Sequence, residues 1–172
     1  MTIERRAISL ELRAVGRRLE GYAATFNTDA RIGNFTETIA PGAFRASLGA
    51  GGDILALADH APDKLLGRTR SGSLRLSEDN TGLAFSLDVP ETAVGNDVLA
   101  LAKRGDLGGM SFGFITPKDG DSWAGNKRTL RSVDLKEISV VSSWPAYPNT
   151  IVTARYLMPA RLHLARLYLE SL

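Results

Sequence analysis

A chain of 172 residues has the length of one domain, and its 44% apolar and 23% charged residues predict a packed core rather than a disordered polymer. The absence of cysteine and the presence of only two histidines, His60 and His163, exclude a disulfide scaffold, thiolate chemistry and a multi-histidine metal centre, so no metal or cofactor is expected. The net charge of +2 is dispersed: residues 1–20 carry five Arg against three Glu, residues 151–172 three Arg against one Glu, and the span between them 13 basic against 15 acidic residues. Without a basic stripe interleaved with aromatics, no nucleic-acid partner is expected. No apolar run approaches the roughly 20 residues of a membrane span. The opening MTIERRAISLEL lacks the apolar region of an export signal, so a soluble intracellular domain is expected.

In chain order, Ile8, Leu10 and Leu12 alternate with polar neighbours, and Tyr22, Ala24 and Phe26 do so again after a turn near Gly16; period-two alternation predicts half-buried antiparallel strands. Phe35, Glu37 and Ile39 continue the pattern. Pro41 is placed to open a short helix that Gly49–Gly52 would end. Residues 54–58 (ILALA) predict a buried strand ending at Asp59-His60, followed by a proline-containing loop. Leu74 and Leu76, the turn residues SEDNTG at 77–82, and Leu83, Phe85, Leu87 and Val89 predict a hairpin. Residues 91–104 predict a helix with Val94, Val98, Leu101 and Ala102 on one face and Gly105 as its stop. Strands are expected at 110–116 and 129–142 with a turn near 124–127, then a loop at WPAYPN (144–149). Pro159 can open a final helix with Leu162, Ala165, Leu169 and Leu172 aligned. Many short antiparallel strands with few helices predict a mainly β (α+β) fold, an antiparallel barrel or sandwich with peripheral helices. The seam near residue 150 divides a body, 1–150, from a helical tail, 151–172.

Three polar positions stand out. Ser111 lies in LGGMSFGF (107–114), where Gly108, Gly109 and Gly113 strip side chains from around it; the ordinary reading is a strand with a glycine bulge. His60 ends an apolar run, and an imidazole with an ordinary pKa of about 6.5 can accept a serine proton, although a lone histidine there is more commonly a hydrogen-bonded edge residue. Alternation over 133–141 puts Val133, Leu135, Glu137, Ser139 and Val141 on one face, where Glu137 needs a partner: a histidine N–H, or one of the 21 basic residues. Asp134, on the other face, is the alternative carboxylate. Residues 109–113 also match G-x-S-x-G, and Ser111, Asp134 and His163 follow the α/β-hydrolase order. A nucleophile elbow, however, needs a helix directly after the serine, whereas residues 112–117 read as extended.

Six segments in order then carry a resemblance: GYAATFN (21–27), IAPGAF (39–44), Asp59-His60 with LGRT (66–69), EDNTGL (78–83), GMSFGF (109–114), and EISVV (137–141) with the Trp-Pro-Ala loop. Over residues 6–150 the chain resembles the prohead (capsid maturation) serine proteases of tailed bacteriophages, distantly similar to the herpesvirus assemblins. The resemblance implies an assemblin-like β-barrel, with Ser111 as nucleophile, His60 as general base and Glu137 orienting the histidine. Arg68 is a further candidate for oxyanion stabilisation, and His163 is assigned no role. It also implies an endopeptidase inside the immature capsid in the host cytoplasm. Its substrate would be the scaffolding segment of the major capsid protein, and its own chain. The tail is expected to serve self-association or shell targeting, or to pack on its own body. A catalytically dead assembly scaffold or chaperone and a small serine esterase are the rival readings.

Overall fold

The computed structural model describes residues 2–8 and 12–142, so the WPAYPN loop, His163 and the expected C-terminal helix lie outside the described residues. The described residues form thirteen strands and two helices. The first strands are β1 (Glu4–Ile8), β2 (Leu12–Val15), β3 (Arg18–Thr25), β4 (Ala30–Ile32) and β5 (Phe35–Ile39). Helix α1 (Arg45–Gly49) leads to β6 (Leu55–Ala58), β7 (Ala61–Arg68), β8 (Leu74–Glu78) and β9 (Gly82–Asp88). After α2 (Ala93–Arg104) come β10 (Gly109–Ile115), β11 (Asp121–Ala124), β12 (Lys127–Leu130) and β13 (Asp134–Val141). The fold is mainly β, as composition and alternation predict.

The strands make three sheets, ordered β1-β10-β13-β6-β7, β11-β12-β5-β4 and β2-β3-β9-β8. The predicted hairpin is β8–β9. Thr92 caps α2, its side chain accepting from Gly95 N at 3.2 Å, and Gly105 ends it in the left-handed conformation with φ 76°. The buried stripe of α2 is Gly95, Val98, Leu99 and Ala102, rotated from the expected one so that Val94 and Leu101 are only partly buried.

Several expectations are corrected. Two pairings, β12 with β5 and β13 with β6, are parallel; alternation alone does not encode strand direction. The stretch 129–142 is two strands in different sheets rather than one. Pro41 lies ahead of α1, whose N-cap is Phe44. The proline-containing loop after His60 is strand β7, and it tolerates Pro62 because it is the edge of its sheet.

The site rests on the five-stranded sheet. Its core face carries Met110, Phe112 and Phe114 of β10, standing opposite Val140, Ile138 and Leu135 of β13. An aromatic chain, Phe26–Phe44–Phe112–Phe114, with centroids 5.2–6.2 Å apart, ties this face to the rest of the core. The register shifts after Gly113: Gly113 faces Glu137 but Phe114 faces Leu135, leaving Lys136 as a bulge residue. The bulge inverts the alternation. Leu135 therefore enters the core, while Glu137 and Ser139 point to the opposite face, a correction to the single face expected for them.

Candidate active site

His60 sits on a turn of two residues. Ala58 pairs with Ala61, and Asp59 and His60 between them have φ of 50° and 58°, the paired positive values of a type I′ hairpin turn. Positive φ is uncommon for these residues and needs support. Asp59 supplies it: its N–H donates to Val140 O at 2.8 Å, and its Oδ1 accepts from Ser142 N at 2.7 Å. The tip carrying the imidazole is thereby pinned to the end of β13.

From there the imidazole meets Glu137. His60 Nδ1 lies 2.9 Å from Glu137 Oε1, Arg5 Nε donates to that same oxygen at 3.0 Å, and Ser139 Oγ donates to Oε2 at 3.0 Å. Glu137 is almost fully buried. Burial alone would raise its carboxyl pKa, but the hydrogen bonds from His60, Arg5 and Ser139, together with the nearby imidazole, overcome that and hold it at about 2. An ionised carboxylate only accepts, so Nδ1 carries the proton, and whenever the ring is in its neutral form the free lone pair is at Nε2.

Ser111 lies in mid-strand and is fully buried. Two rows on one face of the sheet place it: Ala7, Ser111, Ser139 and Leu57 in one, Arg5, Gly113, Glu137 and Leu55 in the next. Ser111 therefore shares its face with Glu137 and stands directly opposite Ser139. Its hydroxyl donates to the backbone oxygen of Arg6 at 2.9 Å, toward β1. The structure thus joins His60 to Glu137 directly and sets Ser111 beside them by register, with no hydrogen bond from Ser111 to His60 among the described residues. Because β10 continues to Ile115 as a strand, the G-x-S-x-G match is not a nucleophile elbow.

The other candidates lie elsewhere. Asp134 is exposed and pairs with Lys136 Nζ at 2.7 Å. The Arg68 guanidinium lies 3.1 Å from Asp53, and its buried Nε has no hydrogen-bond partner among the described residues. Sequence reasoning missed Arg5 and the part played by Ser139. Ser139 was within reach, two residues from Glu137 on a strand and so on its face; nothing local marks Arg5, which arrives through the β1–β10 pairing.

Strand β1 is fastened from its other face. Arg6 Nε donates to Glu37 Oε1 at 2.6 Å, and Arg128 bridges Glu37 (3.1 Å), Asp121 (2.6 Å) and Glu4. Glu37 and Arg128 are buried. The Arg128 hydrogen bond, against the opposing effect of burial and helped by Thr116 and Arg6, holds the Glu4 carboxyl at about 2. This network joins the first sheet to the second and fixes the backbone that receives the Ser111 hydroxyl.

A carboxylate–imidazole pair on the same sheet face as a serine hydroxyl is the equipment of general-base-assisted acyl transfer, the chemistry of serine hydrolases. The family model of caudovirus prohead serine proteases matches residues 3–160, and the chain belongs to that family. No curated protein and no solved structure matched the chain. Family membership makes it a serine protease of capsid maturation in bacteriophages.

Proposed function

We propose that the protein is an endopeptidase that removes the scaffolding segment of the major capsid protein, and cleaves its own chain, inside the prohead. The observation that carries this reading is the His60–Glu137 hydrogen bond on the face that holds Ser111, in a chain of this family. Ser111 is the nucleophile. Its hydroxyl turns from Arg6 O toward His60 Nε2, which takes the proton as Oγ attacks the scissile carbonyl. The imidazolium returns that proton to the leaving amine, and water then hydrolyses the acyl-enzyme by the same route. Glu137 holds the Nδ1–H tautomer and stabilises the imidazolium. The described strands form three separate sheets and no closed barrel, so the assemblin-like barrel stands on the resemblance alone; residues 151–172 are the candidate segment for self-association or shell targeting.

Co-expression with the cognate capsid protein, comparing wild type with Ser111→Ala by intact mass, tests the proposal. Loss of an N-terminal piece from the capsid protein with wild type alone supports it. Assembled shells with uncut subunits in both cases favour a structural role in assembly, and turnover of short acyl esters without capsid cleavage favours an esterase.

A further inference from the structure

Two serines face each other across β10 and β13, both fully buried, and only one of them can be the nucleophile. Ser139 is the nearer to the carboxylate: its Oγ donates to Glu137 Oε2 at 3.0 Å. A hydroxyl that spends its proton on an ionised carboxylate is poorly placed to give it to an imidazole. The three donors on Glu137 are divided between its oxygens, with His60 and Arg5 on Oε1 and Ser139 alone on Oε2.

That division matters because a carboxylate pivots about its last side-chain bond. With Oε2 fixed, Oε1 is held in the plane that meets His60 Nδ1; without it, Oε1 remains tied to Arg5, a half-exposed side chain, and the imidazole follows a looser partner. We propose that Ser139 is a positioning residue of the active site, fixing the Glu137 carboxylate so that His60 is presented to Ser111. The inference rests on the reading of Ser111, His60 and Glu137 given above and adds a fourth member to it. It also explains the spacing of the EIS segment. In a strand, i and i+2 share a face, so a hydroxyl two residues after the carboxylate reaches Oε2 without any change in the backbone.

Two measurements test it. The first is the rate at which a fluorophosphonate probe labels the protein, with the labelled residue located by mass spectrometry. Ser139→Ala should lower the rate about tenfold, the size of one lost charge-assisted hydrogen bond. Ser139→Thr, which keeps the hydroxyl on a β-branched side chain suited to a strand, should recover most of that loss. The second measurement needs no activity. In the Ser111→Ala background, the chain's two histidines give a simple imidazole proton spectrum, and the His60 Nδ1–H resonance, identified by its loss in a His60 variant, should move upfield and broaden on adding Ser139→Ala.

Ser139→Ala labelling at the wild-type rate with an unmoved His60 resonance overturns the proposal, and so does a probe attached to Ser139. If wild-type Ser111 takes no probe, the underlying reading of the site fails instead. The resonance then still decides whether Ser139 governs the His60–Glu137 pair.

Discussion

A β-carbon added to Gly113 would stand 2.7 Å from both Cγ and Oε1 of Glu137, so the carboxylate lies directly over the bare backbone of β10. This joins two of the motifs. The glycine of GMSFGF is the space that the glutamate of EISVV occupies. Because the clashing atoms belong to a movable side chain, Gly113→Ala should fold, yet push Oε1 off His60. We expect a lowered unfolding midpoint, because a buried carboxylate and its hydrogen bonds must shift, together with labelling of Ser111 reduced at least ~10-fold, the scale on which misplacing a positioning group acts; unchanged labelling would contradict the packing.

Glu137→Gln should separate charge from geometry. The amide can turn its oxygen to His60 and Arg5 and its NH2 to Ser139, so the hydrogen bonds are replaceable, but the imidazolium loses its counter-charge. Labelling should fall by about 10²-fold, less than the loss expected where the wrong tautomer is imposed. Complete retention of the wild-type rate would remove Glu137 from the mechanism.

Acid should loosen the fold through two carboxyls. Glu4 and Glu137 both sit at about 2 when folded, against an ordinary value of 4.5. The unfolded chain therefore binds these protons first. Their contribution to stability is complete above about pH 4.5 and drains away as pH falls toward 2. Urea midpoints measured from pH 6 to 2.5 should decline, and Glu137→Gln should flatten part of that slope. The same value keeps Glu137 ionised throughout the neutral range, so its titration should be absent from the pH–rate profile above pH 4.

The Asp59 turn offers a substitution pair. Asn tolerates positive φ and keeps an acceptor for Ser142 N, whereas Ala does neither. Asp59→Ala should cost about 1–2 kcal/mol and slow labelling, with Asp59→Asn within ~0.5 kcal/mol of wild type. Equal denaturation midpoints for the two variants would show that the anchor is unimportant.

Arg128→Met strips the shared partner from Glu4 and Glu37. Buried Glu37 and half-buried Glu4 would then share Arg6 as their one cation among the described residues, and the weakened pairing should destabilise by about 1–3 kcal/mol, read as a lower denaturant midpoint. Glu37→Gln together with Arg128→Met should recover part of the loss, because one of the two charges is then gone.

Much of this was legible in the sequence, for identifiable reasons. The 74–89 hairpin announces itself because alternation on both arms brackets a run of turn residues, and α2 because Thr92 and Gly105 mark its ends. Ser111, His60 and Glu137 were visible as polar groups in apolar or glycine-rich settings. What stayed hidden was non-local. Pro62 argues for a loop until the strand is known to be an edge. Lys136 gives no sign of being a bulge, yet it alone decides that Leu135 and Glu137 face opposite ways. Arg5 belongs to the site only because β1 pairs with β10, more than a hundred residues later.

The sheet order has a temporal consequence. β13, the middle strand, is the last of its five in the chain, and it carries the carboxylate. As the polypeptide leaves the ribosome, residues 5, 60 and 111 all emerge before their hub exists, and the sheet cannot close around a strand not yet made. On the proposed reading of Glu137, cleavage is therefore withheld throughout synthesis of the strands on either side. The His60–Glu137 pair, and whatever depends on it, can form only once the central strand has been made and has joined β10 and β6.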